Sequence, residues 1–187
     1  MSDHRRVLVC NHFAAPLGEP GGTRHVELAE RFERWEAVVL AADHNLLDGS
    51  RRSARPPDFE VLRVPGHSGN GPARVAGWLT YAARLPRAAR RLGPFDAVVG
   101  SSPHLPGAAA AQRAARRLGV PYVFEVRDPW PEVLAGMGAS SPSSPAYRGL
   151  ALLARRLEQQ ADAVVVLSDG VGDLLIGRGV PDRKVHV

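Results

Sequence analysis

Lysine is almost missing: Lys184 is the only one among 24 basic side chains, and the rest are arginine. In a chain rich in Ala, Gly and Pro this reads partly as high-GC coding. Arginine nonetheless draws phosphates and anionic surfaces whatever its origin. Cysteine is nearly absent too. A single Cys10 excludes an intramolecular disulfide framework and any cysteine-based zinc cluster, and is most simply a small buried apolar residue. No apolar run approaches the ~18 residues of a membrane-spanning helix, which excludes an integral helical membrane protein. The start, MSDHRRVLVC, has no long apolar segment and no small-residue cleavage site, so a secretory signal is not expected. The seven histidines show neither H-x-H nor H-E-x-x-H spacing, so no metal is expected. Also missing are G-x-G-x-x-G, the P-loop pattern and the G-x-S-x-G elbow. What remains is a cytoplasmic, soluble globular domain as the expectation, since 187 residues suit one core. Its net charge of +5 leaves nucleic acid, phospholipid and nucleotide-sugar phosphate open as partners.

What is present is an alternation of short apolar runs and helical patterns. The runs are Arg6–Cys10, Ala37–Ala41, Phe59–Val64, Ala97–Gly100, Pro121–Val126, Ala163–Leu167 and a closing Lys184–Val187. They are nearly continuous in Val, Leu and Ile rather than alternating, which suits parallel strands covered on both faces. Helical periodicity fits Thr23–Arg34, Gly77–Leu92, Gly107–Leu118, Ser144–Gln160 and Gly170–Gly177. Gly119 and Gly179, each followed by Val-Pro, read as helix stops. Asn45–Pro57, His67–Pro72 and Ala139–Pro145 read as loops. The expected fold is an α/β domain with a doubly wound, mostly parallel sheet and helices on both faces. Ligands are expected at the carboxyl ends of its strands.

Three segments at those ends invite chemistry. After the first strand, Asn11–Gly22 leads into a helix at Thr23. Gly21 and Gly22 permit close backbone approach and Arg24 adds charge, which suits an anion; a plain Gly-Gly turn before a Thr-capped helix is the alternative. After the fourth strand, Ser101–His104 offers small polar residues to line a cleft or to start a helix. After the fifth, Glu125–Glu132 (EVRDPWPE) gathers Glu125, Arg127, Asp128 and Glu132 around Trp130, with Pro129 and Pro131 holding the chain extended. These carboxylates suit sugar hydroxyls and Trp130 suits a sugar face. The alternative is an ion pair of Arg127 with Asp128 or Glu125 and a tryptophan buried in the core. Ser168 closes the sixth strand and reads also as a helix cap. Farther along, Arg84, Arg87 and Arg91 follow Trp78, Leu79 and Tyr81 at helical intervals. That fits either a solvated face or a basic helix on anionic lipid.

Taken in order, the HF-x-x-P…GG-x-R start, the SP after the fourth strand, RD-x-WPE, VVVLS and GVP-x-x-K-V resemble the N-terminal half of GT-B glycosyltransferases of family 4. The resemblance is to the bacterial subgroup that builds cell-surface polysaccharides. The matching residues are His12, Phe13, Pro16, Gly21, Gly22, Arg24, Ser102, Pro103, Arg127, Asp128, Trp130, Pro131, Glu132, Ser168, Gly179, Val180 and Pro181. It implies retaining transfer, without metal or cofactor, from a nucleotide-sugar donor to a glycan or lipid-linked acceptor. Gly21, Gly22 and Arg24 would approach the donor phosphates; Glu125, Arg127 and Asp128 would reach the reaction centre. His12, Ser102, His104, Trp130, Glu132 and Ser168 would line the acceptor cleft. Many relatives carry a histidine where this chain has Arg127–Asp128, so no general base is assigned. A donor-binding second domain is expected to follow Val187, and these 187 residues alone are expected to be inactive. The alternative is a non-catalytic module that attaches to anionic lipid or a partner protein through the basic helix. Nucleic acid is not expected, because no recognition motif accompanies the arginine-rich Arg51–Arg55. Peripheral contact with the inner face of the cell membrane is a further expectation.

Overall fold

The computed structural model describes residues 5–45, 47–52, 56–66, 71–138 and 140–187. The loop expectations at His67–Pro72, within Asn45–Pro57, at Arg51–Arg55 and at Ala139 fall partly or wholly outside them. Seven strands form one sheet: β1 (Arg5–Cys10), β2 (Trp35–Ala42), β3 (Phe59–Leu62), β4 (Ala97–Ser101), β5 (Tyr122–Val126), β6 (Ala163–Val166) and β7 (Val185–His186). Every pairing is parallel, and the order is β3-β2-β1-β4-β5-β6-β7. The order reverses between β1 and β4, so the connections leaving them turn to opposite sides and open a crevice at the carboxyl edge.

The helices are α1 (Arg24–Ala29), α2 (Pro72–Leu92), α3 (Leu105–Leu118), α4 (Glu132–Gly136), α5 (Pro145–Gln160) and α6 (Asp169–Gly177). Strand alternation divides the core in two. Leu8, Cys10, Leu40, Val98, Phe124 and Val164 pack beneath α2, α3, α5 and α6. Val7, Val9, Val39, Phe59 and Val61 face α1 through Val26 and Ala29. Burial on both sides explains why the strand runs are apolar throughout rather than every second residue.

Periodicity misplaces the start of α2 and the end of α1 and misses α4, for identifiable reasons. Helix α2 begins at Pro72, with proline in its first turn. Its opening residues Ala73, Arg74, Val75 and Ala76 lie outside the buried stripe, so no apolar repeat marks them. Helix α1 ends at Ala29, where i→i+3 bonds from Arg31 to Leu28 and from Phe32 to Ala29 tighten the chain; Phe32 is exposed. The five-residue α4 buries nothing and is too short to show a period. Gly119 ends α3 in the left-handed region at φ 71°, its N–H bonded to the Ala115 carbonyl.

Close approach of α3 to the sheet depends on Gly100. A Cβ there would lie 2.7 Å from Tyr122 Oη and 3.1 Å from Ala111 Cβ. The Tyr122 hydroxyl donates to the Ala108 carbonyl at 3.0 Å and has no room to retreat. Gly100→Ala is therefore expected to destabilise the domain by about 1–3 kcal/mol through overpacking, read as a lower urea midpoint. An unchanged midpoint would show that the contact yields freely.

Candidate functional site

Glu125 sits on the face of β5 opposite Phe124 and Val126, in line with the half-buried Val123, yet only 4% of it is exposed. A carboxylate there must be compensated. His25 Nε2 meets Oε2 at 2.6 Å, Ser101 Oγ donates to the same oxygen at 2.6 Å, and Arg24 Nε donates to Oε1 at 3.2 Å. Arg24 and Glu125 are 101 positions apart in the chain. The buried ring of His25 is held from its other side by Asn11, whose Nδ2 lies 3.1 Å from Nδ1. Asn11 Oδ1 accepts from the Phe13 N–H, which turns the amide nitrogen toward His25. His25 Nδ1 is then the acceptor, and Nε2–H donates to Glu125. Ser102 Oγ accepts from the Arg127 N–H at 2.9 Å, joining the ends of β4 and β5 once more. Three loops, after β1, β4 and β5, are fastened by one polar network.

Above this network is a cleft of about 560 Å³. Gly21 and Gly22 line it from the turn after β1, and Arg127, Asp128 and Trp130 from the segment after β5. Gly21 holds φ +126°, which a side chain would resist, and the Gly22 carbonyl accepts from the Ala15 N–H, folding the turn back on β1. Phe13 and Trp78 complete an aromatic wall, and Arg74 lies over the Trp78 ring at 5.2 Å. Trp130 packs against the larger core and also lines the cleft.

His104 closes the bottom. It is 3% exposed, and among the described residues neither ring nitrogen has a hydrogen-bond partner. Its ring centroid lies 4.7 Å from that of His12 and 5.6 Å from that of Trp78. Burial lowers its pKa to about 3, so it is neutral at physiological pH. A Cβ on Gly107 would stand 2.4 Å from His104 Nδ1, so the absence of that carbon leaves the imidazole its place. Trp78 Nε1 and Arg127 Nε are also buried without a partner among the described residues.

Several expectations need correction. Glu125 does not line the cleft; it is buried and fastens Arg24 and His25. Among the described residues Arg127 pairs with neither Asp128 nor Glu125. The segment around Trp130 is not extended. The Trp130 N–H bonds to the Asp128 carbonyl, Val133 N–H to Pro129, and the chain enters α4. Glu132 turns away to pair with Arg178 Nη2 at 2.7 Å. Ser168 caps α6 by accepting from the Val171 N–H. Neither Glu132 nor Ser168 borders the cleft; His12 and Ser102 are buried below it. Thr23 flanks α1 without a side-chain cap, its hydroxyl donating to Glu27 instead. The residues that sequence reasoning missed are His25, Asn11 and Arg74. A glutamate in an otherwise apolar strand was the available signal, because it demands partners from neighbouring loops.

Burial pushes the Glu125 carboxyl up, but the hydrogen bond from His25, the charge attraction of its imidazole, and then hydrogen bonds from Ser101 and Arg24 outweigh it and lower the pKa to about 2 from an ordinary 4.5. A depressed carboxylate contributes stability that is complete above its unfolded pKa and is lost as pH falls through the folded value. That contribution is on the order of 3 kcal/mol. Urea melts are expected to show wild type losing more stability than Glu125→Gln between pH 4.5 and 2, with the variant already weaker at neutral pH. Parallel pH profiles would contradict this.

The sequence model of the glycosyl transferase 4-like domain matches residues 21–187. No curated protein matches the chain by sequence. Among solved structures, Anabaena HepE in complex with UDP and glucose superposes with a TM-score of 0.56 at 15% identity, over 98% of this chain and 44% of that one. UDP-GlcNAc 2-epimerase from Methanocaldococcus jannaschii gives 0.55 at 11%, over 98% and 44%. Arabidopsis thaliana UGT89C1 complexed with UDP gives 0.53 at 14%, over 97% and 50%. The chain thus spans half or less of these proteins, and at such identities the likeness shows a shared Rossmann-like fold. Matched over most of its length, the chain belongs to the glycosyl transferase 4-like domain family, as a Rossmann-like domain of the GT-B type.

Proposed function

We propose that this domain is the acceptor side of a retaining glycosyltransferase, moving a sugar from a nucleotide-sugar donor to a sugar or lipid-linked acceptor in bacterial surface-polysaccharide assembly. The observation that carries the reading is the meeting of the glycine turn with Arg127, Asp128 and Trp130 around one cleft, at the point where strand order reverses. UDP or UDP-glucose occupies HepE and UGT89C1, which share this fold, and supports a nucleotide-sugar donor.

In this proposal the acceptor ring lies against Trp130, Trp78 and Phe13, flat apolar surfaces that suit the C–H face of a sugar. Neutral His104, Trp78 Nε1 and Arg127 Nε receive its polar groups, which satisfies atoms otherwise left bare. Asp128, exposed in the cleft wall, accepts the hydrogen bond of the reacting hydroxyl. Gly21 and Gly22 let the donor diphosphate approach the backbone, with Arg24 adding positive charge. Glu125 is a positioning residue here: it holds Arg24 and fixes the turn through His25.

Charge that develops on the departing diphosphate must be stabilised from both walls of a closed crevice, and these residues build only one. The isolated 187-residue chain is therefore expected to bind saccharide without turning over UDP-glucose. Tryptophan fluorescence titrated with oligosaccharide fragments checks the first part, and release of UDP from UDP-glucose the second. Trp130→Ala is expected to weaken saccharide binding about tenfold, the equivalent of one lost aromatic contact. Saccharide affinity unchanged in Trp130→Ala and Arg127→Gln would remove the acceptor assignment; UDP release by the chain alone would remove the need for a second wall.

A further inference from the structure

The basic helix singled out in the sequence belongs to a wider arrangement that the cleft does not use. Helices α2, α3 and α5 lie side by side on one face of the sheet, α3 packed against both others. They carry five, three and three arginines respectively, against the single carboxylate of Glu158. That glutamate is 2% exposed and points toward Arg178. With a net charge of only +5 for the whole chain, everything outside these helices is net negative. Positive charge is thus concentrated on these three helices, whereas α6, on the same face of the sheet, carries the exposed Asp169 and Asp173 and no arginine. Arg84, Arg87, Arg90 and Arg117 border a groove between α2 and α3, and Arg148 and Arg155 flank the Ala151–Leu152 patch on α5. Apolar side chains stand out from the same layer. Leu152 is 69% exposed between Arg148 and Arg155, while Val75 and Leu79 continue at four-residue steps into Ala83 and Arg87 on α2.

We infer that this layer docks the domain on an anionic phospholipid bilayer. Charge complementarity selects an anionic partner, because no exposed carboxylate interrupts the arginines of these helices. The protruding leucines select lipid over nucleic acid: they enter the interface while arginine stems reach the headgroups. Base stacking has no platform here, since Tyr81 is buried, Tyr147 half-buried, and Trp78 turned into the cleft. Arg74 and Trp78, at the start of α2, also border the cleft, so docking through α2 would bring its mouth close to the bilayer surface. The inference stands apart from the transferase reading, for it concerns a different surface.

Co-sedimentation with phosphatidylcholine vesicles, with or without about one-third phosphatidylglycerol, tests it directly. Wild type is expected to pellet only with the anionic vesicles and to be released at high salt. Each arginine near such a surface contributes about fivefold, the equivalent of about 1 kcal/mol. The triple variant Arg87→Gln, Arg90→Gln, Arg117→Gln is therefore expected to partition about a hundredfold more weakly. Arg31→Gln with Arg34→Gln, on the α1 side, is expected to behave as wild type. Thermal melts establish that the variants fold; should the triple variant fail, Leu152→Asn is the second probe and is expected to reduce binding that persists at intermediate salt. No preference for anionic vesicles, equal losses in both arginine variants, or binding of duplex DNA by a protein that ignores vesicles would each overturn the inference.

Discussion

One buried carboxylate organises the functional edge of this domain. Glu125 is almost fully buried near the end of a parallel strand, and an unpaired charge there would be untenable. Its partners come from loops that the chain cannot bring together locally: Arg24 and His25 after the glycine turn, Ser101 at the end of β4. Because β1, β4 and β5 are neighbours in the sheet, the network closes with short bonds. Gly21 and Gly22 lie just before Arg24 and His25, and Arg127 lies just after Glu125, so the bonds of Glu125 to Arg24 and His25 tie the two cleft-lining segments together. A precise site is therefore built on loops, yet anchored to strands.

Much of the fold was legible because parallel strands read as nearly unbroken runs of Val and Leu. All seven appear within a few residues of where those runs lie, and the helix stop at Gly119 falls where its αL residue requires it. The sequence was silent where packing gives no period. Ala73–Ala76 extends α2 without joining its buried stripe, and Glu132–Gly136 is a helix that buries nothing. At the site, the glycine turn and the RD-x-WPE segment were visible as unusual chemistry at strand ends, but their internal geometry was not. Whether Glu125 faces the cleft or the core depends on which side of β5 it occupies. Its partner His25 follows Arg24 by one position on a helix and carries no mark of its own.

Surface charge is unevenly spread over the two faces. In and after α1, Glu27, Glu30, Glu33 and Glu36 are interleaved with Arg24, Arg31 and Arg34, whereas arginine stands almost without acid on α2, α3 and α5. The cleft opens at the edge between these sides and takes its lining from both, with Gly21 and Gly22 before α1 and Arg74 and Trp78 from α2. An apolar, aromatic wall with a few polar atoms left unsatisfied suits a ligand that brings both a flat face and hydroxyls.

The claim on which this rests is that Glu125 and His25 act together to hold the two cleft-lining segments in register. A double-mutant cycle on folding stability at neutral pH, combining Glu125→Gln with His25→Ala, measures it. A coupling of about 1–3 kcal/mol is predicted, as befits a buried hydrogen bond to a charged group. Additive losses with no coupling would contradict the account.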